Sequence, residues 1–213
     1  MDNKGIKRVV VGPLEVNCYL VWDGETREAA CIDPGDNVER ILDAAEGERI
    51  NISRIVNTHG HFDHIGGNKA LKSATGAPLA MHGDAIPTME EAIKHGAMFG
   101  IAVTPSPQPD TILSDGDTIE IGSLTLTVIH TPGHSRGGIS LYAPSLQTVF
   151  TGDTLFAGGI GRTDLTGGSY DQLIASIKEK LLPLDDETEV MPGHGDKSTI
   201  GREQTSNPFL AAC

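Results

Sequence analysis

Side chains of the kind that hold metal ions fall at four places along this chain, and each place lies just past a predicted strand. They are His59 to His64 after "ISRIVN", His134 after "LTLTVIH", Asp153 after "TVFTG" and His194 after "TEVM". Strand ends on one edge of a sheet converge in space, so loops that follow different strands can build a single site there. A fold for this chain has to bring those four strand ends together.

The densest of the four places reads "THGHFDH" over residues 58–64. His59 and His61 are two apart in an extended segment and point to the same side, whereas Asp63 and His64 lie where the chain turns and can face a second centre. His134 in "TPGHS" and His194 in "MPGHG" repeat a Pro-Gly-His wording, and Asp153 stands in "TGDT". Imidazole and carboxylate suit Zn²⁺, and also Fe²⁺ or Mn²⁺. A single four-coordinate structural zinc would leave some of the residues His59, His61, Asp63, His64, His134, Asp153 and His194 unused. The set fits two metals a few ångströms apart, with open positions for water.

The rest of the chain supplies the scaffold. "KRVVVG" (7–12), "NCYLVWD" (17–23) and "EAACID" (28–33) read as a meander of short strands punctuated by Gly, Pro and Asp. A helix follows over "VERILDAAEGER", with Asp36 or Asn37 as its cap and Val38, Ile41, Leu42 and Ala45 at helical spacing. "ISRIVN" (52–57) is a buried strand, 66–76 a helix ended by Gly76, and "PLAMH" (78–82) another strand. Residues 94–110 hold three prolines and no clear period, which predicts a surface excursion. A second run of strands spans "DTIEIG", "LTLTVIH", "GISLYA" and "QTVFTG". An amphipathic helix over 169–184, a last strand "TEVM" and a short C-terminal helix complete an α/β order.

Charge narrows the partners. With 16 basic and 29 acidic residues the formal charge is −13, which repels phosphate backbones and anionic membrane surfaces. Nucleic acid and membrane are therefore excluded as expected partners. No stretch reaches the ~20 apolar residues of a spanning helix. Cys18, Cys31 and Cys213 are odd in number and unrelated in context, which fits reduced thiols and a cytoplasmic location.

Together the motifs carry a family resemblance. "THGHFDH" resembles the His-Xaa-His-Xaa-Asp-His signature of the metallo-β-lactamase-fold hydrolases, and "HTPGHS", "FTGDTLF" and "MPGHG" match the remaining metal motifs in order. The resemblance covers nearly the whole chain. It implies an αββα four-layer sandwich, two mixed β-sheets flanked by helices, with metals at one edge between the sheets. By position, His59, His61 and His134 would bind the first metal, and Asp63, His64 and His194 the second, with Asp153 bridging. The cofactors implied are two divalent metal ions, zinc foremost, with iron or manganese as alternatives.

"DTLFAGGIGRTDL" (153–165) and the ending "PGHGDKSTIGREQTSNPFL" look like the short branch similar to glyoxalase II, whose members hydrolyse glutathione thioesters such as S-lactoylglutathione. Residues 1–213 are then one domain, without the helical C-terminal domain that supplies glutathione contacts in full-length glyoxalase II. Arg162 aligns with a basic glutathione-contacting position, but an aromatic residue of the pattern two positions later is Asp164 here. A water held between two divalent cations loses a proton near neutral pH and is placed to attack a bound carbonyl. Asp63, a ligand with a spare oxygen, can orient that nucleophile and is the expected catalytic residue. The ions, their two carboxylates and the nucleophile leave a net charge of about +1, so the site attracts an anion. Asp33 in "IDPGD" is placed to accept an N–H from a ligating histidine and fix its tautomer.

Three classes of activity compete. A binuclear thioester hydrolase is the leading one. A mononuclear-iron persulfide dioxygenase shares the "GRTD" wording of 161–164 and would use only His59, His134 and Asp153, but its last motif reads Pro-Ala-His where this chain has Pro-Gly-His. A non-catalytic metal-binding protein has no use for open coordination positions. Lactonases and β-lactamases share the hydrolytic core, which does not choose the acyl group.

Overall fold

The structure, a computed structural model, describes residues 4–210. The short apolar runs assemble into two six-stranded mixed sheets. The first holds β1 (Gly5–Val11), β2 (Val16–Trp22), β3 (Glu28–Ile32), β4 (Asn51–Val56), β5 (Leu79–His82) and β6 (Thr111–Leu113), in that order across the sheet. Pairing is antiparallel from β1 to β3 and parallel from β3 to β6. The second is built from β7 (Thr118–Ile121), β8 (Leu124–His130), β9 (Ile139–Ala143) and β10 (Thr148–Gly152). A two-stranded ribbon, β11 (Leu155–Phe156) with β12 (Gly159–Ile160), intervenes in the chain before β13 (Glu189–Pro192) and β14 (Ser198–Thr199) complete that sheet. Its order is β14-β13-β10-β9-β8-β7, with only the β10–β13 pair parallel.

Burial follows the two-residue period of a strand. All of β2 is buried because both of its faces are covered. Cys18, Leu20 and Trp22 face a helical layer, where they join Val38, Ile41 and Ala45 of α1 (Val38–Glu48). Tyr19 and Val21 face the other way, into a core shared with Ile121, Leu126, Leu141 and Phe150 of the second sheet. Beyond that sheet, Val149 and Val190 pack on Leu173, Ile177 and Leu181 of the late amphipathic helix. The result is the helix-sheet-sheet-helix sandwich that the resemblance implies. Truncating a fully buried side chain at its centre, such as Leu20 or Leu126, costs about 2–5 kcal/mol.

Other local details depart from the sequence reading. Asn37 occupies the N-cap position of α1, but its backbone is left-handed (φ 45°) and its side chain makes no bond to the helix. Its Oδ1 instead accepts the Gly12 N–H at 2.9 Å, tying the β1–β2 turn to the helix start. After the one-turn α2 (Phe62–Ile65) comes α3 (Asn68–Thr75), which ends at Gly76 in the left-handed region, as its glycine predicts. The excursion expected over 94–110 is partly helical. α4 (Ile86–Glu90) and α5 (Ala92–Met98) precede an irregular stretch over 101–109. Gly96 permits a close approach there, since a Cβ would stand 2.2 Å from Val103 Cγ2.

The helix expected over 169–184 is capped by Ser169, which accepts from Gln172 N, and runs as α6 (Tyr170–Ser176) into a wider π turn over Ile177–Leu181. α7 (Ile200–Ser206) follows β14. Cys18 and Cys31 are buried free thiols with sulfurs 3.4 Å apart on neighbouring strands, while Cys213 lies outside the described residues. Burial, then the Cys31 thiol, pushes Cys18 well above the ordinary thiol range, so it stays protonated and unreactive. No helix among the described residues is long and apolar enough to cross a membrane.

Candidate metal centre

Each ligand-type side chain is set by the strand that precedes it. β4 ends at Val56, His59 follows in a bend and His61 in extended backbone, after which α2 turns Asp63 and His64 inward. Gly60 between the two histidines lies so close to α4 and the turn before it that a Cβ would stand 2.4 Å from Ala85 O. His134 follows β8 through Gly133, whose φ of 134° and proximity to Leu173 admit only glycine. Asp153 follows β10, and His194 follows β13.

These four strand ends meet at one edge between the sheets. His59, His61 and His134 each present one nitrogen within 4.8 Å of the others, and so do Asp63, His64 and His194 with one ligand atom each. His134 Nε2 is 2.8 Å from His61 Nδ1. Asp153 reaches both groups, with Oδ2 3.5 Å from His134 Nε2 and 3.7 Å from His194 Nε2, and Oδ1 3.4 Å from His64 Nε2. Asp63 Oδ2 is 3.4 Å from His194 Nε2 and 3.8 Å from His64 Nε2. All seven predicted residues are therefore gathered, with Asp153 between two triads.

Four of the five histidines engage the ring nitrogen that faces away from the cluster. His134 Nδ1 donates to Arg162 O at 2.8 Å and His194 Nδ1 to Leu14 O at 3.0 Å. His59 Nδ1 donates to Thr58 Oγ1, which itself donates to Asp33 Oδ2, and that oxygen also accepts from His64 Nδ1 at 3.0 Å. One buried carboxylate thus fixes two imidazole tautomers, directly and through a hydroxyl. Asp33 also comes near His59 and His64 as a possible third triad, but its oxygens are occupied by Thr58 and His64 Nδ1, away from the cluster.

Inside the cluster three buried atoms, His59 Nε2, His64 Nε2 and Asp153 Oδ1, have no hydrogen-bond partner. Buried polar atoms without partners are costly, and three lone-pair donors converging on one space are what divalent cations satisfy. The donor set fits a metal pair. Gly193 keeps that space open, since a Cβ there would stand 2.4 Å from Asp153 Oδ1 and 2.8 Å from His64 Cε1.

Electrostatics agree with that chemistry. Burial holds His59 well below the ordinary histidine range, and burial followed by the His134 neighbour brings His61 down to about 3, so both rings are neutral donors. Burial would raise the Asp153 pKa, but His64, His59 and His134 pull it well below the ordinary value. Burial likewise opposes ionisation of Asp63, and His64 and His194 reverse that effect. The two carboxylates are charged acceptors.

A cavity of about 850 Å³ opens onto this edge. Lys94, Met98, Phe99, Phe156, Ile160 and Leu165 also line it. Arg162 also lines it, but its Nε and Nη2 donate to Asp164 Oδ1 and Oδ2, both at 2.7 Å. α5, which overlaps the surface excursion expected over 94–110, is thus part of the cavity wall, and His95 lines the same space. The ring of Phe99 packs on Phe62 of α2 at 5.5 Å, a link no sequence period announces. His82 and His130, by contrast, lie outside this cavity and stack at 4.2 Å with planes 10° apart. Parallel rings keep their in-plane lone pairs from converging, so that pair with Asp84 is a poor metal site.

Comparison with known proteins agrees with the fold. The sequence pattern of the Metallo-beta-lactamase superfamily matches residues 11–194, and the chain belongs to that family. It is 38% identical over 207 residues to hydroxyacylglutathione hydrolase GloC of Haemophilus influenzae, covering 96% of this chain and 97% of that one. Among solved structures, BLEG-1 B3 metallo-beta-lactamase superposes with a TM-score of 0.92 at 36% identity, covering 98% of this chain and all of that one. TTHA1623, solved in a di-iron-bound form, gives a TM-score of 0.89 at 40% identity, covering 96% of this chain and all of the other.

Proposed function

We propose that this chain is a binuclear metal-dependent thioesterase that cleaves glutathione thioesters such as S-lactoylglutathione. The observation that carries the reading is the inward convergence of His59 Nε2, His64 Nε2 and Asp153 Oδ1, all buried and without partners, beneath a cavity that Asp153 lines and that is large enough for such a substrate. The 38% identity to GloC, along the whole of both chains, supports the thioester class.

His59, His61 and His134 would hold one ion and Asp63, His64 and His194 the other, with Asp153 in reach of histidines of both triads. Zinc is the ion proposed, with iron or manganese able to use the same imidazole and carboxylate donors. When bound, such a pair lowers the pKa of a shared water and polarises a carbonyl. The chain's own residues do the rest. Asp63, ionised and partly open to the cavity, accepts a hydrogen bond from the attacking water and orients it. Asp33 and Thr58 hold the His64 and His59 rings in register, and Arg162 O does so for His134. The apolar wall of Phe156, Ile160 and Leu165 excludes competing water from the bound thioester.

The test is metal content per chain, measured together with hydrolysis of S-lactoylglutathione and oxygen uptake with glutathione persulfide. About two metals and thioester cleavage are expected. One iron with oxygen consumption would move the assignment to the dioxygenase class.

A further inference from the structure

Apart from the metal-type side chains the cavity lining is mostly apolar, and its cations differ sharply in how free they are. The Arg162 guanidinium is spanned by both oxygens of Asp164, two residues away on the same loop. A substrate carboxylate would have to displace an acid tethered at high effective concentration. Asp164 stays ionised throughout the working range, because the Arg162 side chain holds its pKa near 2. His95 faces Glu91 at 3.3 Å. Lys94 makes no ion pair and no side-chain hydrogen bond among the described residues, yet lines the same cavity.

Lys94 is also well placed. It lies on α5, which Phe99 joins to Phe62, one residue from Asp63. The close approach of Val103 and Ile101 at Gly96 fixes the other side of the helix. The helix that carries Lys94 along the cavity is therefore held by packing on both sides. In a protein of charge −13, a free cation beside the site marks where an anionic group docks.

We propose that Lys94 is the specificity-determining residue of this site: it docks a free carboxylate of the substrate, the role that the resemblance assigns to Arg162. The substrate class is then thioesters that carry a carboxylate on an otherwise partly apolar body, which lies along Met98, Phe99 and Phe156. This inference rests on the thioesterase reading of the cavity, and the test separates the two.

Metal-loaded protein is assayed with S-lactoylglutathione and with the neutral thioester S-lactoyl-N-acetylcysteamine, which share their acyl group. Lys94→Ala is expected to lower the ratio of kcat/KM for the anionic over the neutral substrate about fivefold, through KM and not kcat, the size of one partly exposed ion pair. Lys94→Arg should restore most of it, and Asp164→Asn should raise the ratio above wild type by freeing Arg162. An unchanged ratio in Lys94→Ala, or a ratio that falls only in Arg162→Ala, overturns the proposal. Calorimetric binding of the inert thioether S-hexylglutathione decides the point without turnover. If wild type cleaves neither thioester the catalytic reading fails, but weaker binding by Lys94→Ala still supports the docking role. Equal affinity in the two proteins, or no binding to wild type, refutes it.

Discussion

Asp33 Oδ2 lies 3.0 Å from His64 Nδ1, and the same carboxylate accepts both the N–H and the hydroxyl of Thr58, which in turn receives His59 Nδ1. Asp33 has a left-handed backbone (φ 52°), a conformation that asparagine also tolerates. Asp33→Asn thus removes the charge without adding backbone strain. Supporting groups of this kind are worth about 10–100-fold in metal affinity. Competition with a chelator should show a loss of that size; undiminished retention would mean that Asp33 is only a turn residue.

Among the described residues, Asp153 is the one carboxylate within 4 Å of histidines from both triads. Asp153→Ala should lower metal content and hydrolysis together. A variant with full metal and full rate would sink the binuclear reading.

Gly193 has no side chain because Asp153 and His64 occupy the space. In Gly193→Ala the new methyl group must displace one of them. Overpacking of this kind costs about 1–3 kcal/mol, and the displacement falls on the cluster itself. Circular dichroism should show a native fold with a modestly lower melting temperature, while metal retention collapses. Normal retention would place the 193–195 turn farther from the ions.

Protons and metal compete for the same nitrogens. Burial disfavours charge on His64, yet Asp153, Asp63 and Asp33 together raise its pKa well above the ordinary value; for His194, burial is outweighed by Asp63 and then Asp153. Both rings therefore bind protons more readily than free histidine, whereas His59 and His61 stay neutral. Metal affinity should rise with pH through and beyond the usual histidine range near about 6.5, with protons released on uptake. Titration of metal into weakly buffered protein measures the release, and a pH-independent affinity would contradict it.

Acid stability has a separate source. The Ser123 hydroxyl, then Thr26 N, Ser123 N and Glu25 N, hold the Asp23 carboxyl well below its ordinary value. A depressed carboxyl stabilises the fold above the unfolded-state pKa of about 3.9, and that contribution is lost as pH falls through the folded value. Asp23→Asn should be less stable near neutrality, and its deficit should shrink below about pH 4. Thermal melts across that range give the answer; a deficit that stays constant would assign the loss to geometry alone.

The strand meander, α1, α3 and the late helix were legible because each has a clean period and punctuating glycines or polar caps. The clustering of His59, His61, Asp63, His64, His134, Asp153 and His194 was legible because each follows a strand end. Asn37 was misread as a helix cap because its partner, Gly12 N, is 25 residues away in sequence and no local rule reaches that far. α5 was hidden by its own composition, since "AIKHGAM" is short and its exposed Met98 faces a cavity. The Arg162–Asp164 pair could have been suspected from their i, i+2 spacing in a loop, but only coordinates show that it closes.

The turn that carries His194 leaves the second sheet and is fastened to the first. Asn17 N donates to Gly193 O at 2.7 Å, Tyr19 Oη to Pro192 O at 2.8 Å, and Val16 bridges His194. The last donor thus arrives on β13 and is seated by β2, from opposite ends of the chain. A nascent polypeptide emerging from the ribosome cannot close this cluster until β13 and the turn after it have been made, so the seven side chains stay unassembled in every shorter intermediate of synthesis.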